Sequence, residues 1–137
     1  MVFNMNKRIE GGCFCSSVRY SFESDDYLSS NCHCSMCRRT SGAPFVSWMA
    51  IPLSHFQYTQ GQPKKLNSSS HGARYFCPEC GTQMYGVLAE DGPKTISIRP
   101  GTTNQRAQLP PKRQIWGHSA MPWIHNLKGV AMSLEQD

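Results

Sequence analysis

No stretch of this chain approaches the ~20 consecutive apolar residues that a membrane span requires. Residues 1–12 (MVFNMNKRIEGG) also carry no apolar segment of the kind found in a secretory signal. The expectation is a soluble protein of the cytoplasm with no membrane partner. Charge is scarce: Asp, Glu, Lys and Arg make up 17% of the 137 residues, against eleven glycines and nine prolines. That balance disfavours long helices and favours tight turns. Repeats, low-complexity blocks and interdomain linkers are absent too. The chain therefore reads as a single domain over residues 1–137, long enough to bury a hydrophobic core.

What the chain does have is cysteine, in a pattern. Cys13 and Cys15 form a C-x-C clip, Cys32, Cys34 and Cys37 a C-x-C-x-x-C triplet, and Cys77 and Cys80 a C-x-x-C clip. An odd total of seven fits a disulfide framework poorly. A reducing compartment also disfavours disulfides, which stay open only for a chain exported by another route. Two clips supply the four thiolates of a closed tetrahedral zinc site. The triplet supplies three and leaves a position open, which is the arrangement of a reactive site. Which clips share an ion is not settled by spacing; Cys13/Cys15 with Cys77/Cys80 is the economical pairing, since it leaves the triplet as one local unit.

The residues between the cysteines suit this chemistry. In an extended segment residues i and i+2 point the same way. Cys13 and Cys15 can then face one ion with Phe14 turned out, and Cys32 and Cys34 likewise with His33 turned away. In Cys77-Pro78-Glu79-Cys80-Gly81, Pro78 fixes φ and Gly81 permits a positive φ, shaping a tight knuckle. The alternative for such a clip, a redox dithiol, lacks its usual βαβ setting here.

The formal charge of +5 points toward nucleic acid, but that count treats the thiols as protonated. Seven thiolates around two zinc ions would bring it to about +2. The pairs Lys7-Arg8, Arg38-Arg39, Lys64-Lys65 and Lys112-Arg113 are scattered along the chain. No nucleic-acid partner is expected.

Periodicity is mainly that of strands. Val18, Tyr20 and Phe22 alternate with Ser17, Arg19 and Ser21, as in a half-buried strand. Residues 44–51 (PFVSWMAI) read as a more buried strand, 55–59 as another, and Thr95–Arg99 as a fourth. Residues 73–76 run into the second clip and 83–88 run out of it, a hairpin tipped by the knuckle. Gly61-Gln62-Pro63 and Glu90-Asp91-Gly92-Pro93 mark turns, and Ser68-Ser69-Ser70 a loop. One short helix is expected, with Ser35 capping Met36–Ser41 and Gly42 and Pro44 ending it. Residues 102–109 are a second candidate, and the last ten residues are expected to fray. The triplet sits at the N-terminus of the short helix, where free N–H groups and the helix dipole stabilise thiolates.

GGCFCSSVRY, NCHCSMCRRTSGAPFVSW and FCPECGT together closely resemble the glutathione-dependent formaldehyde-activating enzyme family, which includes centromere protein V. The likeness spans roughly residues 9–100, with all seven cysteines in the family pattern, and an aromatic C-terminal arm continues to about residue 125. It implies a mainly β fold of coiled antiparallel, β-tent-like sheets organised around zinc knuckles, with one short helix after the triplet. It assigns Cys13, Cys15, Cys77 and Cys80 to a structural zinc and Cys32, Cys34 and Cys37 to a catalytic one. The activity it implies is condensation of glutathione with formaldehyde, classed as a carbon–sulfur lyase.

Individual residues carry two readings each. His33 is a fourth ligand or proton shuttle, or else makes a structural hydrogen bond, and its direction favours the latter. Arg38 and Arg39 either bind a substrate carboxylate or form a solvated helix face. His118 and Ser119, between Trp116 and Trp123, either cover the open metal position or belong to packing of the arm. Met36 and Met84 read as core. The leading reading is a zinc enzyme joining a small thiol, such as glutathione, to a small carbonyl electrophile. Its alternatives are a zinc-stabilised binding module without chemistry and a redox or metal-handling protein.

Overall fold

A computed structural model describes residues 8–23, 27–70, 72–88 and 94–136. Two sheets are built from ten strands. The smaller holds β1 (Arg8–Gly12), β2 (Arg19–Glu23) and β5 (Phe56–Gln60), with β2 in the middle and both pairings antiparallel. The larger takes β3 (Ser29–Cys32), β4 (Val46–Pro52), β6 (Lys64–Ser69), β7 (Gly72–Phe76), β8 (Gln83–Leu88), β9 (Thr95–Ile98) and β10 (Arg113–Ile115). Its order is β10-β3-β4-β9-β8-β7-β6. Every neighbouring pair is antiparallel except β10 on β3, which is parallel. The mainly antiparallel β architecture expected from the sequence is therefore present. Among the described residues the one α-helix, α1 (Ser35–Ser41), starts after Cys34 and carries the last cysteine of the triplet, Cys37. Among the described residues no helix is long and apolar enough to cross a membrane.

One apolar cluster lies between the sheets. From the smaller come Ile9, Val18, Tyr20 and Phe22; from the larger come Met49, Ile51, Met84, Ile96 and Ile98. Register explains the partition. Met49 sits opposite Ile98 and Ile51 opposite Ile96, so these β4 and β9 side chains share the core face. Trp48 and Ala50 alternate to the other face. Ile98 is fully buried. Ile98→Ala is expected to lower stability by about 2–5 kcal/mol, measured as the shift of a urea midpoint. A loss below about 1 kcal/mol would mean that this core does not hold the two sheets together.

Several expectations need correction. Ser21 is 1% exposed, because β2 is the central strand of its sheet and its hydroxyl accepts a hydrogen bond from Gln57. The helix cap is Cys34 rather than Ser35: its Sγ accepts from the Cys37 N–H at 3.3 Å. Gly42 ends the helix as expected, at φ 74, donating to the Arg38 carbonyl at 2.9 Å. Residues 102–109 form no α-helix; two short 3₁₀ turns, Pro100–Thr102 and Arg106–Gln108, stand there. Strand β6 extends through Ser69, so the serine run is not simply a loop. Met84 is core, but Met36 is 43% exposed and lines a cavity beside the triplet, on a helix with only one buried residue. The turn at Glu90–Pro93 and residue Lys7 lie outside the described residues.

Candidate metal centres

The first cluster joins the turn after β1 to the tip of the β7–β8 hairpin. The sulfurs of Cys13, Cys15, Cys77 and Cys80 all lie within 4.8 Å of one another. Cys13 and Cys15 are 3.6 Å apart and Cys15 and Cys77 3.8 Å. A tetrahedron with ~2.3 Å zinc–sulfur bonds has an edge of about 3.8 Å, whereas a disulfide is ~2.05 Å. The donor set and its spacing thus fit a tetrahedral thiolate-bound ion. Cys13 and Cys15 converge through a turn rather than an extended segment: Ser16 N–H donates to the Cys13 carbonyl, with Ser16 at φ 69. Phe14 does point outward, 93% exposed. The knuckle is as the sequence suggests, with Gly81 at φ 80 and its N–H on the Cys77 carbonyl at 2.9 Å.

Hydrogen-bond donors surround these sulfurs. Val18 N–H donates to Cys13 at 3.3 Å, and the Thr82 hydroxyl lies 3.1 Å from Cys80. The Thr82 hydroxyl and its N–H hold the Cys80 thiol down at about 5. Burial opposes ionisation of Cys13, but Val18 N–H and the Ser17 hydroxyl outweigh it and lower its pKa. Preformed donors of this kind stabilise thiolates ready for a cation.

The second cluster is local. Cys32 ends β3, Cys34 caps α1 and Cys37 lies in its first turn, with sulfurs within 4.8 Å of one another. No His, Asp or Glu among the described residues joins either cluster. Burial pushes the Cys32 thiol up to about 12. Burial acts on Cys34 too, but hydrogen bonding from the Cys37 N–H and the neighbouring thiols prevails and lowers its pKa. The ring of His33 lies on the opposite side of the strand, 1% exposed, with Nε2 2.7 Å from Gln114 Oε1 and its ring 5.2 Å from that of Phe45. Its structural reading is the one this geometry supports.

The triplet lines a cavity of about 520 Å³ on the face of the larger sheet turned away from the core. Register shows how it is made. Ala50, Ser97, Gly86 and Arg74 are successive cross-strand partners on β4, β9, β8 and β7, so three small residues form a floor ending in a guanidinium. Trp48, Arg113 and Trp116 add walls. Trp116 is held at φ 58, a left-handed conformation that costs a non-glycine residue about 1 kcal/mol or more. Besides its pairing with β3, the arm carrying it is tied down by His33 N–H on the Ile115 carbonyl and Arg38 Nη1 on the Ser119 carbonyl, both at 3.1 Å.

Arg38 is thus engaged with backbone carbonyls, and Arg39 is exposed; neither lines the cavity. His118 lies against Trp116 in a tilted arrangement, ring centroids 5.6 Å apart, also outside the lining. The residues that sequence reasoning missed are Trp48 and Arg74. A charged residue inside the short strand that enters the knuckle was the available signal.

Several known proteins are similar to this chain in sequence or in fold. An uncharacterized lyase of Schizosaccharomyces pombe is 30% identical over 76 residues, covering 56% of this chain and 55% of that protein. A Halomonas elongata protein provisionally named a glutathione-dependent formaldehyde-activating enzyme is 28% identical, over 77% of this chain and 71% of its own. An Emericella nidulans protein with the same provisional name is 29% identical, over 59% and 43%. The chain spans about half the length of the yeast relative and less of the Emericella one. A crystal structure of a Rhodobacter sphaeroides protein superposes with a TM-score of 0.59 at 18% identity, covering 77% of this chain and 98% of that one, a likeness of fold. The family model for glutathione-dependent formaldehyde-activating enzymes matches residues 8–119, the span holding both cysteine clusters and the cavity, and the chain belongs to that family.

Proposed function

We propose that this single-domain chain is a zinc enzyme that adds a small-molecule thiol to a small carbonyl compound, with glutathione and formaldehyde the pair suggested by its family. The observation that carries this reading is the contrast between a closed group of four cysteines and a group of three opening on a cavity. Cys13, Cys15, Cys77 and Cys80 would hold a structural zinc, and Cys32, Cys34 and Cys37 a second one. Free thiols throughout suit a reducing compartment such as the cytoplasm. Zinc at the triplet would supply a soft Lewis-acid position that keeps a thiol ionised near neutral pH.

The chain's own residues do the rest. The small residues Ala50, Ser97 and Gly86 leave room for both reactants beside the triplet. Confinement there turns a bimolecular addition into an effectively unimolecular one. A carbon–sulfur bond forms between the thiol sulfur and the carbonyl carbon, and the thiol proton ends on the carbonyl oxygen. The reverse breaks that bond, which is the lyase direction. Trp116 and its anchored arm limit water at the rim, and Arg38 serves by fixing that arm.

Elemental analysis of protein purified without chelator should find two zinc ions per chain. In the cobalt-substituted protein, glutathione should shift the sulfur-to-metal absorption of the triplet and leave the closed site unchanged. One ion in fully loaded protein would overturn the division of the cysteines. A triplet indifferent to every thiol would favour a non-catalytic, zinc-stabilised binding module.

A further inference from the structure

The cavity holds a cation with no ion-pair partner among the described residues. Arg74 projects from β7 opposite Gly86, and its guanidinium carbon lies 5.6 Å from the Trp48 ring centroid. Arg99, just after β9, lies 4.6 Å from the same indole. The Nε atoms of both arginines are buried without a hydrogen-bond partner. Arg99 donates through Nη2 to Gln83 Oε1, a neutral amide. Among the described residues no ion pair engages either arginine, and no Asp or Glu lines the cavity. Two like charges converge on one indole, and burial together with the charge of Arg74 brings Arg99 down to about 10. Cation–π contact offsets part of this. The remaining requirement of a partly buried guanidinium is an anion that it can bind through paired N–H groups.

Space for that anion exists. The cavity of about 520 Å³ reaches Arg74, and even a Cβ added at Gly86 would be in ordinary van der Waals contact, 3.4 Å from Trp48 and from the Ala73 carbonyl. Arg74 and the three thiols of the triplet line the same cavity. We infer that Arg74 is a specificity-determining residue that holds a carboxylate of the thiol substrate against Trp48, with Arg99 adding positive potential. This selects acidic thiols over neutral ones, and it rests on the proposed thiol chemistry of the triplet.

The test compares 3-mercaptopropionate with its uncharged amide, by calorimetry on the metal-loaded chain. The acid should bind about ten-fold or more tightly, the least that a charge-assisted hydrogen bond is worth. Arg74→Met should erase that preference and leave the amide's affinity within about two-fold, while Arg74→Lys should restore part of it. Equal affinity for acid and amide in the unaltered chain, or a preference that survives in Arg74→Met, would overturn the inference. Butyrate, which has the same shape and no thiol, separates this idea from the thiol reading. In the unaltered chain it should move the Arg74 Nε–H resonance in nitrogen-15 NMR. Should neither thiol bind, the thiol reading fails; a butyrate response would still uphold the anion site, and no response would overturn it. The butyrate measurement needs no variant, so it stands even where Arg74→Met fails to fold.

Discussion

Cys80→Ser is expected to abolish stable folding. Its sulfur belongs to a cluster that joins the turn after β1 to the β7–β8 knuckle, with Cys15 and Cys77 3.8 Å apart across 62 residues of sequence. A bound ion there closes a long loop and ties the smaller sheet to the larger. Structural zinc contributes apparent binding energies of about 10–16 kcal/mol, and that energy is folding energy. A domain of this size has a net stability of about 5–15 kcal/mol. Losing the ion with one of its four thiolates therefore removes an amount comparable to the whole margin. Circular dichroism of the variant should show no cooperative melt, and chelation of the unaltered chain should mimic it. A Cys80→Ser chain that melts cooperatively near the unaltered temperature would show that the sheets hold together without this ion.

How much of this was legible in the sequence depends on the range of the interaction. Local chemistry was readable: the CPECG knuckle, the helix-ending glycine at position 42 and the strand at Arg19–Glu23 all reappear in the structure, although Ser21 breaks the expected alternation of burial. The triplet was readable because its spacing is a local property; the grouping of Cys13/Cys15 with Cys77/Cys80 was only the economical pairing until the fold brought them together. The cap at Cys34 was missed because serine is the usual cap, and a thiol in that role is expected only where it must also face its neighbours. The cavity was not readable at all. Its floor is a row of residues from four strands, Ala50, Ser97, Gly86 and Arg74, which only sheet order and register bring together. Trp48 looked like one more core aromatic, although β4 turns it away from Met49 and Ile51 onto the opposite face. Strand β10 was likewise hidden, since its three residues gain a partner only through parallel pairing with β3, about eighty positions earlier.

Cys34→Ser should have the opposite signature to Cys80→Ser: the fold retained and the chemistry lost. The triplet spans only Cys32 to Cys37, so an ion there closes a short loop and joins no distant segments. Serine is among the best helix caps, and its hydroxyl can accept from the Cys37 N–H as the Cys34 sulfur does now. The capping contribution, about 1 kcal/mol, is thereby kept, and the melting temperature should fall by no more than about 5 °C. Oxygen is a poorer partner than sulfur for zinc held by soft donors. Metal content should drop from two ions per chain to one, and thiol–carbonyl condensation should fall about 10³-fold or more, since Lewis-acid stabilisation is worth several kcal/mol. Cys37→Ser should likewise lose the second ion, at a larger cost in stability because that sulfur is buried. Unfolding of Cys34→Ser as complete as that of Cys80→Ser would make the triplet a structural site. Full activity with one ion per chain would remove the triplet from the reaction altogether. A cool, folded, inactive Cys34→Ser chain is what divides a scaffold of four cysteines from a reactive group of three.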